Sequence, residues 1–302
     1  MSIIVKDVTK IYGKQKALNK VTFEIKTGEV VGFIGPNGAG KSTMMKIITG
    51  FIPQTSGDVS VNGHDVVEQS MLVRKNIGYL PENNPLYLDM YVKEYLEYVA
   101  GLYNLKKESS QIKEMLERTG LVEEQNKKIG ALSKGYKQRV GLAQAMIHDP
   151  NVLILDEPTS GLDPNQIVEI RNLISEVGKE KTVMLSTHIM QEVEAICQRI
   201  IIINKGNIVA NDYTQNIHTQ TNKNTQTIVV EFNKQVKANQ LETIKGIVKV
   251  INIKDNNWLL QSNFDDDIRA NIFDFAVKNK MVVLSMQKKE KSLEDVFQEL
   301  TK

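Results

Sequence analysis

The sequence predicts an α/β protein: a mostly parallel sheet with helices against it, followed by a small α+β domain. Three observations lead there. Residues 30–34 (Val-Val-Gly-Phe-Ile) and 152–155 (Val-Leu-Ile-Leu) are continuous apolar runs of strand length, as strands buried on both faces require. From the second run onward, strand and helix patterns alternate, the order that builds parallel sheets. Residues 211–226 are almost entirely polar, rich in Asn, Gln and Thr, and read as a linker, with 216–226 as its centre.

Residues 2–66 read mostly as strands, because Ile3-Ile4-Val5, Val21-Thr22-Phe23-Glu24-Ile25 and Val59-Ser60-Val61 are β-branched or alternating. Turn signals stand at Lys26-Thr27-Gly28 and Asn62-Gly63, and residues 78–82 read as a loop. Residues 91–105, 110–119 and 133–148 carry apolar positions at helical spacing, such as Ile112, Met115 and Leu116, so a helical region spans about 90–148. Further on, 166–177 and 191–197 read as helices, and 182–186 and 200–203 as strands. Beyond the polar tract, 227–232, 248–253 and 281–286 read as strands, and 266–278 as a helix with Ile268, Ile272 and Phe275 on one side. The expected division is therefore 1–215, a linker over 216–226, and an accessory domain over 227–302.

The bulk numbers narrow the class. The chain has 302 residues, 41% hydrophobic and 25% charged, a globular composition rather than a disordered one. A formal charge of +2 provides no basic excess for nucleic acid, and no nucleic-acid partner is expected. The single cysteine, Cys197, excludes an internal disulfide and reads as an inert thiol on the 191–197 helix. The charged Lys6-Asp7 pair interrupts the place of a secretory apolar region, and no run reaches the roughly 18–20 apolar residues of a membrane span. A cytoplasmic location is expected, with any membrane contact made through a partner.

Gly35-Pro36-Asn37-Gly38-Ala39-Gly40-Lys41-Ser42-Thr43 fits G-x-x-x-x-G-K-S/T, directly after a buried strand and before a helical stretch. The chemistry needs these residue types. Glycines let consecutive N–H groups converge on one anion, and the following helix adds its positive N-terminal end. Lys41 then reaches the β- and γ-phosphates, and the Ser42 hydroxyl completes a Mg²⁺ coordination sphere. The motif implies a bound nucleoside triphosphate.

Residues 152–155 run into Asp156-Glu157, placing two acids at the C-terminal edge of a buried strand, where ligands bind in such sheets. Asp156 is expected to help hold Mg²⁺, and Glu157 to polarise an attacking water as general base. The strand over 182–186 leads into Thr187-His188, so His188 is a candidate donor to the γ-phosphate or that water. His64, His148 and His218 lack such a setting and read as structural or solvated.

Leu132-Ser133-Lys134-Gly135-Tyr136-Lys137-Gln138, at the start of a helix, resembles the L-S-G-G-Q signature of ABC-type ATPases. A small hydroxyl, a glycine and a helix N-terminus make a second anion site. Pro158-Thr159-Ser160-Gly161-Leu162-Asp163 is similar to the family loop whose Asp bridges two subunits, and Tyr12 matches the aromatic that stacks on adenine. The resemblance spans about residues 2–215. It implies a P-loop ATPase fold with an N-terminal antiparallel β subdomain and a helical subdomain. It also implies a dimer with two ATPs at its interface, Ser133 and Gly135 acting on the opposite subunit's nucleotide, and an integral-membrane permease partner.

Two positions depart from the family pattern. Lys134 stands at a glycine of the signature, and Glu82 stands where the family usually has Gln. A Glu82 carboxylate can bind Mg²⁺ but cannot donate a hydrogen bond. Residues 79–92 resemble the ATP-binding subunit associated with bacterial gliding motility, and Ser292-Leu293-Glu294-Asp295-Val296-Phe297 resembles a broader exporter-like group. The expected function is therefore an ATPase powering an exporter by nucleotide-driven dimer closure, with motion passed to the membrane partner near residues 82–91. The competing reading is an ABC-type ATPase acting on a ribosome or DNA-repair complex. Such proteins tend to have tandem ATPase domains or a coiled-coil insertion, whereas this chain has one P-loop and neither.

Overall fold

The computed structural model describes residues 2–105, 110–217, 226–263, 267–289 and 292–302. His218, most of the polar tract centred on 216–226, and Asp266 lie outside these. The chain divides into two compact units, Met1–Thr214 with Thr301, and Gln215–Leu300 with Lys302.

The first unit opens with β1 (Ile3–Tyr12) and β2 (Gln15–Ile25), an antiparallel hairpin whose turn holds Gly13 at φ 57°. β3 (Val30–Ile34) leads into α1 (Lys41–Ile48). There follow β4 (Ser56–Val61), β5 (His64–Asp65), α2 (Ser70–Asn76) and β6 (Ile77–Leu80). The helical stretch is α3 (Val92–Leu102), α4 (Ser110–Arg118) and α5 (Lys134–Met146). The unit closes with β7 (Val152–Asp156), α6 (Pro164–Val177), β8 (Thr182–Ser186), α7 (Met190–Ile196), β9 (Arg199–Asn204) and β10 (Asn207–Tyr213), before α8 (Thr214–Ile217).

Six strands form the central sheet in the order β10-β9-β3-β8-β7-β6, parallel except for the antiparallel edge strand β10. β3, β7 and β8 are buried at every residue, which is why their sequences do not alternate. A second, antiparallel sheet runs β2-β1-β4-β5. Met44, Met45, Ile47 and Ile48 of α1 join one core with Ile3, Val5 and Phe23 of this sheet and Phe33, Ile154, Met184 and Ile201 of the central one. Each such side chain contributes roughly 1.5–3 kcal/mol by leaving water. Because α1 sits in that core, the phosphate loop before it has a rigid base.

Four expectations need correction. Residues 78–80, part of the 78–82 stretch read as loop, belong to strand β6, paired in parallel with β7 from Ile77↔Val152 to Leu80↔Leu155; four residues are too few to show a pattern. The polar residues 211–213 belong to β10, since an edge strand needs only backbone pairing to β9 to persist. Cys197 lies outside its helix as the C-cap of α7, in extended geometry. Asn257–Ser262 is a strand the sequence reading did not find.

The second unit contains β11 (Gln226–Phe232), α9 (Ala238–Leu241), β12 (Ile247–Lys254), β13 (Asn257–Ser262), α10 (Arg269–Lys278), β14 (Val283–Lys289) and α11 (Leu293–Thr301). From β11 to β14 the chain order is βαββαβ, and the sheet runs β12-β13-β11-β14 with every pair antiparallel, the ferredoxin-like arrangement. Ile228, Val230, Phe232, Trp258 and Leu260 point to one face and pack with Ile268 and Ile272.

Candidate active site

The loop between β3 and α1 curls because its glycines adopt backbone that other residues avoid. Gly38 has φ 78° and Gly40 φ 114°. A Cβ on Gly40 would stand 2.7 Å from the Ala17 carbonyl, so no side chain fits. Gly40 caps α1 without a side-chain bond, leaving the first helical N–H groups directed at the loop. The Lys41 ammonium donates to the carbonyls of Gly35 (2.6 Å) and Pro36 (3.2 Å). Burial lowers the pKa of Lys41, opposed by the carboxylates of Glu157, Asp156 and Glu82, in that order.

A cavity of about 480 Å³ lies over this loop. It is lined by Tyr12, Gln15 and Ala17 from the β1–β2 hairpin, by Asn37, Gly38, Gly40, Lys41, Ser42 and Thr43, and by Glu82, Asp156 and Glu157. The fold thus brings Tyr12, the phosphate loop and all three acids to one place. Tyr12 is exposed at the cavity mouth, with the Lys10 ammonium 5.1 Å from its ring centre.

The acids sit where parallel strands end. The β7–β8 ladder runs to Asp156↔Ser186 and stops. Ser186, fully buried, donates its hydroxyl to Asp156 Oδ1 at 2.5 Å and accepts from the Glu157 N–H at 3.1 Å. Glu157 is held at φ 52°, a left-handed conformation that costs a non-glycine residue on the order of 1 kcal/mol and re-aims its side chain. Its Oε2 lies 2.8 Å from His188 Nδ1. A carboxylate acceptor there places the ring proton on Nδ1, and the His188 side chain is largely exposed.

Sequence reasoning overlooked Ser186; a hydroxyl closing an otherwise apolar strand was the available signal. Ser133, Gly135 and Asp163 do not line the cavity. Ser133 is the N-cap of α5, accepting from Tyr136 N at 3.3 Å, and Asp163 is the N-cap of α6, accepting from Asn165 N and Gln166 N. Gly135 lies directly under the Gln166 side chain, so the two helix starts are packed together. Ser133 and Asp163 are exposed.

No group of three or more His, Cys, Asp or Glu side chains among the described residues could cage a metal alone. Ser42, Asp156 and Glu82 nevertheless offer an all-oxygen donor set in one cavity. This fits Mg²⁺, which proteins bind through one or two carboxylates with substrate phosphates supplying the rest.

A second cavity of about 750 Å³ is lined by Phe51, Arg74, Tyr79, Pro85, Tyr87, Tyr95, Tyr98, Tyr103 and His148, among others. His148 Nε2 donates to the Ile77 carbonyl at 3.0 Å, and its ring stacks on Tyr103 at 3.9 Å. Of the sequence's remaining histidines, His148 is therefore structural, and His64 lies half-buried in β5.

Comparison with known proteins agrees with this geometry. Residues 18–160 match the ABC transporter family model. The chain is 34% identical over 295 residues to an ABC transporter ATP-binding protein of Bacillus subtilis, YxlF, covering 97% of each. The chain belongs to the ABC transporter ATP-binding family. It is an ATPase, the ATP-binding subunit of a transporter. It is also 33% identical over 312 residues to the bacitracin transport ATP-binding protein BcrA of Bacillus licheniformis, covering 99% of this chain and 98% of that one. Among solved structures, a dimeric ATP-binding cassette in a post-hydrolysis state with ADP and phosphate superimposes with a TM-score of 0.64 at 29% identity, covering 70% of this ABC subunit and 98% of the cassette.

Proposed function

We propose that two copies of this chain sandwich two Mg-ATP molecules, and that closing and reopening this dimer drives export through an integral-membrane permease from the cytoplasmic side. One observation supports this above the others. The nucleotide cavity is complete in the P-loop, Tyr12 and the acids, yet Ser133 and Asp163 stand exposed outside it. A second copy facing the cavity makes use of both.

In this reading Tyr12 stacks on adenine, and Gly35, Pro36, Asn37, Gly38, Ala39 and Gly40 wrap the phosphates. Lys41 and Thr43 complete the cradle. Ser42, Asp156 and Glu82 hold Mg²⁺, which when bound neutralises charge developing on the phosphates. Glu157 takes the proton of the attacking water, and His188, anchored by Glu157 through Nδ1, turns Nε2 toward the γ-phosphate. Ser133 and Gly135 close on the opposite copy's nucleotide, and Asp163 bridges the copies. The aromatic cavity around Tyr79, Tyr87 and Tyr98 is the seat for the permease.

The transport protein BcrA, matched nearly end to end, supports membrane transport over ribosome or DNA-repair work. The similarity of residues 292–297 to exporter-like members supports the direction. Powering gliding is the narrower form of the proposal and rests on residues 79–92 alone.

The test is light scattering on the purified Glu157→Gln chain with and without Mg-ATP. A monomer that becomes a dimer only with nucleotide is expected. A mass unchanged by bound nucleotide would remove nucleotide-driven closure by the chain alone.

A further inference from the structure

Glu157 and His188 must keep their 2.8 Å contact, yet each lies just past the last paired residue of its strand. Beyond Asp156 and Ser186 the ladder no longer holds the two loops together. Ser186 steadies the Glu157 N–H. The other tie comes from α7. Glu192 is 2% exposed, and its Oε2 accepts from both Thr159 Oγ1 and Thr187 Oγ1, each at 2.8 Å.

These two threonines are themselves buried, and each flanks a residue of the pair. Thr187 directly precedes His188, and its Oγ1 also accepts from the Ile189 N–H at 3.1 Å, so His188 is pinned on both sides. Thr159 follows Glu157 by two residues, with Pro158 between them, whose ring fixes φ and passes the position of Thr159 back to Glu157. A single carboxylate oxygen thus joins the loop after β7 to the loop after β8. Glu192 Oε1 has no hydrogen-bond partner among the described residues. A buried carboxylate with one oxygen unpaired costs stability, a cost that packing alone does not require.

We propose that Glu192 is a positioning residue for ATP hydrolysis: through Thr159 and Thr187 it sets the separation of Glu157 and His188, without touching nucleotide. The inference rests on the reading of Glu157 and His188 as the catalytic pair.

The test is steady-state ATPase kinetics of the full chain. Glu192→Leu is expected to lower kcat about tenfold or more while the KM for ATP stays within about twofold, because misplacement affects the transition state and leaves the Tyr12 and Lys41 contacts intact. Glu192→Gln keeps an acceptor of the same shape and is expected to remain within about threefold of the parent. The Thr159→Val, Thr187→Val double variant should reproduce the Leu loss and add nothing to it, since both hydroxyls act through one oxygen. An unchanged kcat in Glu192→Leu, equal losses in the Leu and Gln variants, or additive losses with the threonine changes would each overturn the proposal. If Glu192→Leu does not fold, the threonine double variant decides alone, by whether kcat falls at constant KM. Glu157→Gln measured alongside separates the two readings. Normal turnover there defeats the catalytic-pair assignment, whereas a dead Glu157→Gln beside a normal Glu192→Leu defeats this inference only.

Discussion

Replacing Ser186 by Ala removes one oxygen atom from the end of β8, and the structure sets the size of the effect. Ser186 is fully buried and Asp156 is 2% exposed, so no solvent is at hand to replace the lost donor. The hydroxyl makes two bonds, to Asp156 Oδ1 at 2.5 Å and from the Glu157 N–H at 3.1 Å. The second loss is buffered, because the same N–H also reaches the Ser186 carbonyl at 3.2 Å, which alanine retains. Only the bond to the carboxylate is lost outright, and bonds to charged groups contribute about 1.5–3 kcal/mol. No cavity term is added beyond one oxygen. The expected cost is about 2 kcal/mol, and at about 2–4 °C per kcal/mol for a unit of this size Tm falls by about 4–8 °C. Thermal unfolding followed by circular dichroism at neutral pH measures it, with ATPase activity recorded on the same samples. A Tm within about 1 °C of the parent would refute the buried hydroxyl–carboxylate bond as a stabilising contact.

Lys41→Ala should weaken ATP binding on the order of thirtyfold or more, as expected for losing charge-assisted bonds to phosphate; unchanged affinity in calorimetry would contradict the P-loop assignment. Burial already lowers the Lys41 pKa and bound phosphates favour its charged form, so nucleotide binding should take up protons at alkaline pH and affinity should fall as pH rises; an affinity flat across that range would count against this. His148 is held below its usual pKa of 6.5, first by burial, so the unfolded chain binds the proton more readily. Stability should therefore rise with pH toward about 6.5 and level off above it, and His148→Gln should flatten that slope in denaturant titrations; an unaltered slope would exclude His148 as its source. Cys197 is 5% exposed, and burial, then Glu192, pushes its thiol pKa far up. Iodoacetamide should leave the folded chain unlabelled and modify it in urea, and stoichiometric labelling of folded protein would contradict the burial.

Much of the fold was legible because its signals lie between neighbours in the chain. β3 and β8 have the bounds expected of them, β3 from its unbroken apolar run, whereas the helix read from Gln166 begins two residues earlier, at Pro164 behind the N-cap Asp163. The phosphate loop is contiguous, so its chemistry and its positive-φ glycines could be read from nine residues. What lies beyond local pattern was not readable. β6 has four residues, and its identity comes from pairing with β7, far along the chain. β10 is polar because an edge strand with an exposed side is held by backbone bonds.

The site divides in the same way. Residue types alone marked Lys41, Asp156, Glu157 and His188 as chemically capable. The meeting of Lys41, Asp156 and Glu157 in one cavity, with His188 bonded to Glu157, follows from the parallel order β3-β8-β7, which brings three loops from distant parts of the chain to one sheet edge. Ser186 and Glu192 escaped notice because a serine ending a strand and a glutamate on a helix look ordinary until their partners are known. A side chain's type is written in the sequence, but its hydrogen-bond partner is chosen by the packing of segments that the sequence keeps apart.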